Sequence, residues 1–400
     1  MSSKPIRPLA MPAFTIVNAL GRGVSASTEG LRTNQGGLRA CDFEDAELNT
    51  YIGRVTGIED EPVVEKLGQF ECRNNRLAQL ALNTEHFSDS VEEARSRYGC
   101  DRIGVFIGTS TSGILQTEHA YQQRDPDTGR LPDSLLYRYT HNTFSVGDFT
   151  RQYLGLTGPA MVISTACSSS AKVFATASRY IKAGLCDAAV VGGVDSLCMT
   201  TLYGFSSLDL IASQPCQPWS EKRSGINIGE AAGFALLEPL EMTQSKVALL
   251  GWGESSDAYH MSAPHPEGAG AIGAMQSALV AADLKPGDIN YIHLHGTATH
   301  TNDAAEDKAV VNVFGAQMPC SSTKGWTGHT LGAAGINNAI FSCISILENF
   351  IPVTLNTTQQ DPSLSANIML ASQEQSVNRV ISNAFGFGGS NCSLIFGSVD

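Results

Sequence analysis

The chain has 400 residues, enough for two core-building units of about 150 to 200 residues each. Its 42% hydrophobic and 16% charged residues indicate a globular fold and argue against a largely disordered chain. A formal net charge of −13 argues against general binding to nucleic acid or to anionic membranes, because both would be repelled.

The cysteines and the first residues bear on the cellular compartment. The ten cysteines are scattered and include no Cys-x-x-Cys pair, so the sequence predicts neither a disulfide framework nor a paired-cysteine zinc site. Residues 1–12 lack the continuous apolar core of a signal peptide, and no apolar run approaches membrane-spanning length. We therefore expect a soluble, cytoplasmic protein without a membrane span.

Short apolar runs alternate with amphipathic or small-residue stretches. Predicted strands cover residues 14–20, 103–107, 161–166, 188–191, 234–237, 247–253, 291–294 and 381–383. Predicted helices cover residues 76–84, 168–184, 270–282 and 330–349. This alternation predicts an α/β protein with largely parallel sheets. Pro239 interrupts regular structure and predicts a boundary between a first half, residues 1–240, and a second half, residues 241–400.

Cys167 lies in the sequence Ser-Thr-Ala-Cys-Ser-Ser-Ser, residues 164–170, where a predicted short buried strand gives way to a helix. A thiol in this position sits over the helix N-terminus, where unpaired N–H groups and the macrodipole favour the thiolate. The sequence therefore predicts Cys167 as a nucleophile. Taken alone, a single cysteine is more often a small buried hydrophobic residue.

A predicted strand ends at His295, and Asp303 and Glu306 follow it. Because side chains alternate along a strand, His293 and His295 are expected on opposite faces, and we assign His293 to a structural hydrogen bond. The same alternation, with the lack of cysteine ligands at metal-binding spacing, disfavours a zinc site built from His293, His295 and His300.

Two further loops follow predicted strands. Residues 321–329 contain Lys324 and His329 and precede a helix rich in glycine and alanine. Because ligands of open α/β sheets bind at strand ends, His295 and His329 can both converge on the thiol of Cys167. Taken alone, Lys324 would be interpreted as a solvated surface lysine. Residues 383–391 form a turn with three glycines, which permit close backbone approach to a substrate, and Phe387 is placed to gate a pocket. An ordinary tight hairpin is the alternative.

Four segments taken together resemble the elongating β-ketoacyl-[acyl-carrier-protein] synthases, condensing enzymes of the thiolase superfamily. They are Thr-Ala-Cys-Ser-Ser at 165–169, His-Gly-Thr-Ala-Thr at 295–299, Lys-Gly-Trp-Thr-Gly-His at 324–329 and Asn-Ala-Phe-Gly-Phe-Gly-Gly at 383–389. The resemblance covers nearly the whole chain. It implies the thiolase fold, a five-layered αβαβα sandwich of two related halves, usually as a homodimer and with neither metal nor cofactor.

By this resemblance, Cys167 takes an acyl chain from an acyl-carrier-protein thioester. A malonyl-carrier-protein thioester then loses carbon dioxide, and the resulting enolate attacks the acyl-enzyme. His295 and His329 are implied to donate hydrogen bonds to the malonyl thioester oxygen, where negative charge builds up. The backbone N–H groups of Cys167 and Phe387 are implied to form the oxyanion hole for acyl transfer.

The resemblance also implies roles for residues around the catalytic cysteine and histidines. Lys324 is implied to support them with its positive charge, and Glu306 matches the usual acidic partner of this lysine. Thr297, Thr299 and Asp303 are carried over as supporting residues.

The sequence departs from the family pattern at three places. Residues 218–220 are Pro-Trp-Ser instead of Pro-Phe-Asp, residues 229–232 are Gly-Glu-Ala-Ala instead of Gly-Glu-Gly-Ala, and His300 replaces a proline. These changes leave the implied catalytic residues intact but put the gating loop and the acyl pocket in doubt. Fatty acid synthesis and a specialised polyketide or polyene pathway therefore both stay open.

Docking of an acidic carrier protein requires a local basic site on this acidic chain. Arg73 and Arg76, at the start of a predicted helix, resemble the position of the family's docking residues. Reversing both charges is then expected to weaken carrier binding in a salt-sensitive way, whereas a solvated helix end is the alternative interpretation.

Other functional classes make different demands on the sequence. A non-catalytic chain-length factor shares the fold but lacks the nucleophile, so Cys167, His295 and His329 favour an enzyme, which could still pair with such a subunit. A thiolase would use a second cysteine, for which Cys392 is the candidate, but Cys392 lies within a predicted strand and the two-histidine pattern differs. A starter-unit synthase would use histidine and asparagine, and a cysteine hydrolase would not need the lysine-histidine loop.

Overall fold

The computed structural model describes residues 5–399. Its strands, β1 to β18, are Leu9–Ala10, Phe14–Asn18, Gly21–Arg22, Arg39–Ala40, Tyr51–Gly53, Ile103–Gly108, Ala160–Ile163, Ala188–Asp195, Ile228–Gly229, Ala231–Pro239, Val247–Ser256, Tyr291–His293, Pro319–Ser321, Phe350–Ile351, Asn367–Ile368, Gln373–Glu374, Arg379–Gly386 and Ser390–Ser398. Its α-helices, α1 to α11, are Val24–Thr33, Arg73–Leu82, Phe87–Tyr98, Ile114–Gln122, Phe144–Tyr153, Ser169–Lys182, Met199–Ser207, Ala269–Ala282, His300–Phe314, Lys324–Thr327 and Ala334–Glu348. The strands and helices predicted from apolar patterning are all present, with shifted ends.

Two sheets, one in each half, are joined through β1, which pairs antiparallel with both β10 and β11. In the first half, β6 runs parallel to β7 and β8, whereas β10 runs antiparallel to β8 and β2. In the second half, β12 runs parallel to β13 and β17, whereas β18 runs antiparallel to β17 and β11. The prediction of largely parallel sheets is therefore wrong. A parallel connection needs a long crossover, and β17 and β18 are joined by a tight glycine turn that allows only an antiparallel pair.

Five layers of helices and sheets result. Helices α6 and α11 contact each other between the two sheets. Helices α2, α3 and α5 cover the outer face of the first sheet, and α8 and α9 cover the outer face of the second. Close packing of the central helices depends on Gly335, because a Cβ there would come within 2.3 Å of the backbone nitrogen of Ala171. The predicted αβαβα thiolase fold is confirmed.

The strand that precedes Cys167 is not buried, contrary to the prediction. It is Ala160–Ile163, the edge strand of the first sheet, and the side chain of Met161 is 37% exposed. An apolar run on an edge strand has the same sequence pattern as a run in the middle of a sheet, so local patterning could not separate the two.

The segment Leu331–Glu348 is long and apolar enough to cross a membrane by length and composition, which the sequence analysis did not anticipate. In the structure, 89% of it is buried against the two sheets. The predicted division of the chain falls between β10, which ends at Pro239, and β11, which begins at Val247. That the two halves are separate domains stays a prediction.

Candidate active site

Cys167 is held in a tight turn between β7 and α6. Ala166, immediately before it, has φ 52°, in the left-handed region that a residue with a side chain rarely adopts. The hydroxyl of Ser168 donates to the carbonyl of Thr165 at 2.9 Å, and the hydroxyl of Ser169 donates to the carbonyl of Ala166 at 2.5 Å. The serines next to the cysteine therefore fix the turn that presents its sulfur.

The two candidate histidines lie beside this sulfur. His329 Nε2 is 3.0 Å from Cys167 Sγ, and the rings of His295 and His329 are 5.3 Å apart at an angle of 80°. One ligand-type atom from each of the three residues lies within 4.8 Å of the others. The structure thus brings together three residues that are far apart in the sequence.

A hydrogen bond from the backbone determines which nitrogen of His329 carries the proton. The N–H of Leu331 donates to His329 Nδ1 at 3.2 Å. A neutral imidazole that accepts at Nδ1 carries its hydrogen on Nε2, the atom that faces the sulfur. This arrangement suits a hydrogen-bond donor and does not suit a metal ligand at Nε2, because a metal needs the free lone pair there.

Burial dominates the ionisation of the site. Burial raises the pKa of Cys167 to about 11, although the charge of Lys324 and the backbone N–H groups of Phe387 and of Cys167 itself oppose it. The thiolate predicted from the helix N-terminus is therefore not favoured at this buried sulfur. Burial and then the charge of Lys324 lower the pKa of His295 and of His329 well below the ordinary value, so both imidazoles are neutral at physiological pH.

Lys324 and Glu306 are both buried behind the histidines. Burial lowers the pKa of Lys324 to about 8, so its ammonium is mostly charged at neutral pH. Glu306 accepts hydrogen bonds from the backbone N–H groups of His295 and Gly296, both at 2.8 Å, and from the side-chain amide of Asn383 at 3.1 Å. Burial raises the pKa of Glu306 to about 7. Its hydrogen bonds thus go to the loop of His295 and to Asn383 rather than to Lys324.

A cavity that opens to solvent lies in front of Cys167. Thr297 and Thr299 line it, and their hydroxyls are 2.9 Å apart. Phe387 lies at the mouth, with its side chain 37% exposed and its ring 5.7 Å from that of Phe205. Phe205 belongs to a region without motifs, so the sequence analysis did not identify it.

Other candidate residues lie outside the cavity lining. His293 is buried, with Nε2 3.1 Å from the hydroxyl of Thr323, as predicted for a structural hydrogen bond. Asp303 accepts from the backbone N–H of Trp219 at 2.9 Å, and burial raises the pKa of Asp303 to about 6. Trp219, at one departure from the family pattern, is fully buried behind the His295 loop. Cys392 is buried within β18.

The two arginines predicted to dock a carrier protein are engaged within the chain. The guanidinium of Arg73 is 2.6 Å from Glu230 and 2.6 Å from Glu59, and its side chain is only 8% exposed. Arg76 binds Glu71 and the backbone carbonyl of Glu59. Arg73 is therefore buried in ion pairs within the chain, which argues against its contact with a carrier protein, whereas Arg76 is paired but partly exposed. That these arginines dock a carrier protein stays a prediction.

Known proteins resemble this chain over most of its length. Residues 73–243 match the family model of the beta-ketoacyl synthase N-terminal domain, and residues 247–358 match that of the C-terminal domain. A 3-oxoacyl-[acyl-carrier-protein] synthase 2 of Staphylococcus aureus is 31% identical over 375 residues, which cover 86% of this chain and 93% of that protein.

Two solved structures extend this comparison. A ketosynthase in complex with its chain length factor from Xenorhabdus doucetiae is 37% identical, with a TM-score of 0.88 and 98% of each chain covered. The ishigamide ketosynthase/chain length factor is 26% identical, with a TM-score of 0.89 and coverage of 99% of this chain and 100% of that chain. The fold and these matches define an acyltransferase of the thiolase fold that forms carbon–carbon bonds. Within this class, the chain belongs to the β-ketoacyl synthase family, in its elongating branch.

Proposed function

We propose that this chain condenses an acyl group on Cys167 with a malonyl group held by an acyl carrier protein, and that His295 and His329 assist the decarboxylation. The observation that supports these roles is the meeting of Cys167, His295 and His329 within 4.8 Å in one cavity. A sulfur nucleophile beside two neutral imidazoles provides both the covalent attachment and the hydrogen-bond donors that the reaction needs.

Acyl transfer comes first. The sulfur of Cys167 attacks the thioester carbonyl, the bond to the carrier sulfur breaks, and the thiol proton leaves with the carrier thiol. The backbone N–H groups of Cys167 and Phe387 stabilise the oxyanion of the intermediate. They already lie close enough to the sulfur to lower its pKa.

Decarboxylation and condensation follow. The malonyl carboxylate leaves as carbon dioxide, and its electron pair forms an enolate whose oxygen accepts hydrogen bonds from His295 and His329. The enolate carbon attacks the acyl carbonyl on Cys167 and expels the thiolate, which takes a proton from solvent. Lys324 and its mostly protonated ammonium support the negative charge that develops in this buried site.

Different observations support a carrier-bound substrate and a cytoplasmic location. The Staphylococcus aureus relative is named for an acyl-carrier-protein substrate, and the cavity mouth at Phe387 gives a carrier-bound thioester access to Cys167. All ten cysteines are free, which fits a reducing cytoplasm.

The test is intact-protein mass spectrometry of the purified chain with a panel of acyl carrier proteins loaded with different acyl groups, followed by malonyl-loaded carrier. We expect one acyl mass on Cys167, and then a 3-oxoacyl product on the carrier with release of carbon dioxide. Acyl loading without product in every combination, including with a chain-length factor added, would contradict the condensing activity.

The edge strand β7 supports a second thiolase-fold subunit as the partner. β7 runs parallel to β6, and the carbonyls of Pro159 and Ile163 accept hydrogen bonds from backbone N–H groups at β6. The N–H and C=O of Val162, which alternates with these residues, therefore point away from β6. An exposed edge with apolar side chains such as Met161 is a template for strand pairing. The partner is a second copy of the chain or, as in the Xenorhabdus structure, a chain length factor.

Changing Val162 to proline is expected to separate this assembly. Proline removes the outward N–H of Val162 while leaving the bonds of β7 to β6 intact, because those bonds involve the alternate residues. Sedimentation velocity should then give the 42.4 kDa monomer. The matched variant Val162→Thr keeps the N–H and should retain the wild-type assembly, alone or with an added chain-length factor. An unchanged complex in Val162→Pro would exclude pairing through β7.

A further inference from the structure

Asp195 is a fully buried carboxylate at the end of β8 and lies outside every motif described above. It accepts hydrogen bonds from the hydroxyl of Thr109 at 2.7 Å, from the backbone N–H groups of Ser110 and Thr111 at 2.8 and 2.9 Å, and from the hydroxyls of Ser110 and Thr111. Of these donors only the Ser110 hydroxyl binds Oδ2, which also accepts from the N–H of Gly332 at 2.5 Å; the others bind Oδ1. Asp195 therefore ties the loop after β6 to the loop that follows His329.

The bond to Gly332 acts on the conformation of Leu331. Leu331 has φ 50°, in the left-handed region, and a leucine stays there only when its surroundings hold it. In this conformation the N–H of Leu331 points at His329 Nδ1. The hydrogen bonds thus run from Asp195 through two loop residues to the imidazole beside Cys167.

The charge of Asp195 has the wrong sign to help the nucleophile. It contributes to raising the pKa of Cys167, whereas Lys324 lowers it. A carboxylate that opposes thiolate formation can benefit the reaction only through the groups that it holds in place.

We infer that Asp195 is a positioning residue for His329: by holding Gly332 it keeps Leu331 in the conformation that fixes the imidazole proton on Nε2. This inference rests on the proposed role of His329 as a hydrogen-bond donor during decarboxylation. Asparagine at position 195 would keep the shape of the side chain but replace one acceptor oxygen with a donor, so the bonds from Ser110 and Gly332 could not all form.

The Asp195→Asn variant tests the inference with two measurements. We expect release of carbon dioxide from malonyl-loaded carrier to fall about tenfold or more, and acylation of Cys167 to change by less than about threefold, because acylation uses backbone donors. In ¹⁵N spectra of histidine-labelled protein, the His329 signals, assigned by their loss in His329→Asn, should move away from the pure Nε2–H tautomer. Equal losses in both rates with an unchanged tautomer would overturn the inference.

Two further variants keep this test decisive. Thr111→Val removes a hydroxyl that donates to Asp195 and accepts from the N–H of Ser196, but it leaves the Gly332 bond, so decarboxylation and tautomer should stay as in the wild type. Gly332→Ala disturbs the same bond from its other side, because the new Cβ would meet both Asp195 Oδ2 and the backbone nitrogen of Ser110 at 2.7 Å, and it should reproduce the Asp195→Asn result. If His329→Ala leaves decarboxylation unchanged, the proposed function fails, while the tautomer measurement still reports whether Asp195 orients His329.

Discussion

Replacing Cys167 by alanine is expected to abolish the covalent acyl-enzyme and to lower the condensation rate by about 10⁴-fold or more, because the sulfur forms the bond to the acyl chain. The change removes only a buried sulfur and leaves His295 and His329 in the cavity. Decarboxylation of malonyl-loaded carrier should therefore persist in this variant. Intact-protein mass spectrometry measures the acyl adduct, and release of labelled carbon dioxide measures the decarboxylation.

Cys392→Ala is the matched control for this experiment. Cys392 is equally buried, but it lies within β18 and does not line the cavity. We expect this variant to form the acyl-enzyme and to condense at nearly the wild-type rate. An acyl adduct that survives in Cys167→Ala would disprove the assignment of the nucleophile, and loss of condensation in Cys392→Ala would favour a thiolase-like use of two cysteines.

The elements of the fold were predictable because their signals are local. Helix α6, for example, buries Val173, Phe174 and Ala177 on one face, the spacing that the sequence displays. Strand direction is not local. The buried strands β8 and β10 both have apolar sequences, yet they pair antiparallel with each other, and nothing in either sequence specifies that orientation.

Local sequence likewise identified some features of the candidate site and not others. The motifs around Cys167, His295 and His329 identified residues that the fold brings together. The motif at Arg73 could not show that its guanidinium is held within the chain, because Glu230, which binds it, is 157 residues away. Asp195 was missed because it ends an apolar run and only its hydrogen bonds to two distant loops reveal its position. Local sequence also gives no measure of the burial that raises the pKa of Cys167.

Replacing His329 or His295 by alanine is expected to lower the rate of malonyl decarboxylation by about 10²- to 10³-fold, the loss that follows removal of one oxyanion donor. Acylation of Cys167 should persist in both variants, because its oxyanion is stabilised by backbone N–H groups. The two variants together with Cys167→Ala would thus separate the reaction into its halves. Single-turnover measurements of acyl loading and of carbon dioxide release would determine both rates.

The pH dependence provides an independent check on the state of the histidines. Burial and the charge of Lys324 lower the pKa of both imidazoles well below 6.5, so the neutral donors are present throughout the physiological range. The imidazoles should therefore contribute no rise in wild-type decarboxylation with a midpoint near 6.5, as exposed histidines would, and a titration near 7 belongs to Glu306. His293→Gln is the matched control for the His295→Ala variant. His293 is buried two positions from His295, but it binds Thr323 and does not line the cavity. Decarboxylation that falls in His293→Gln as much as in His295→Ala would mean that folding of this strand, rather than hydrogen bonding to the enolate, explains the loss.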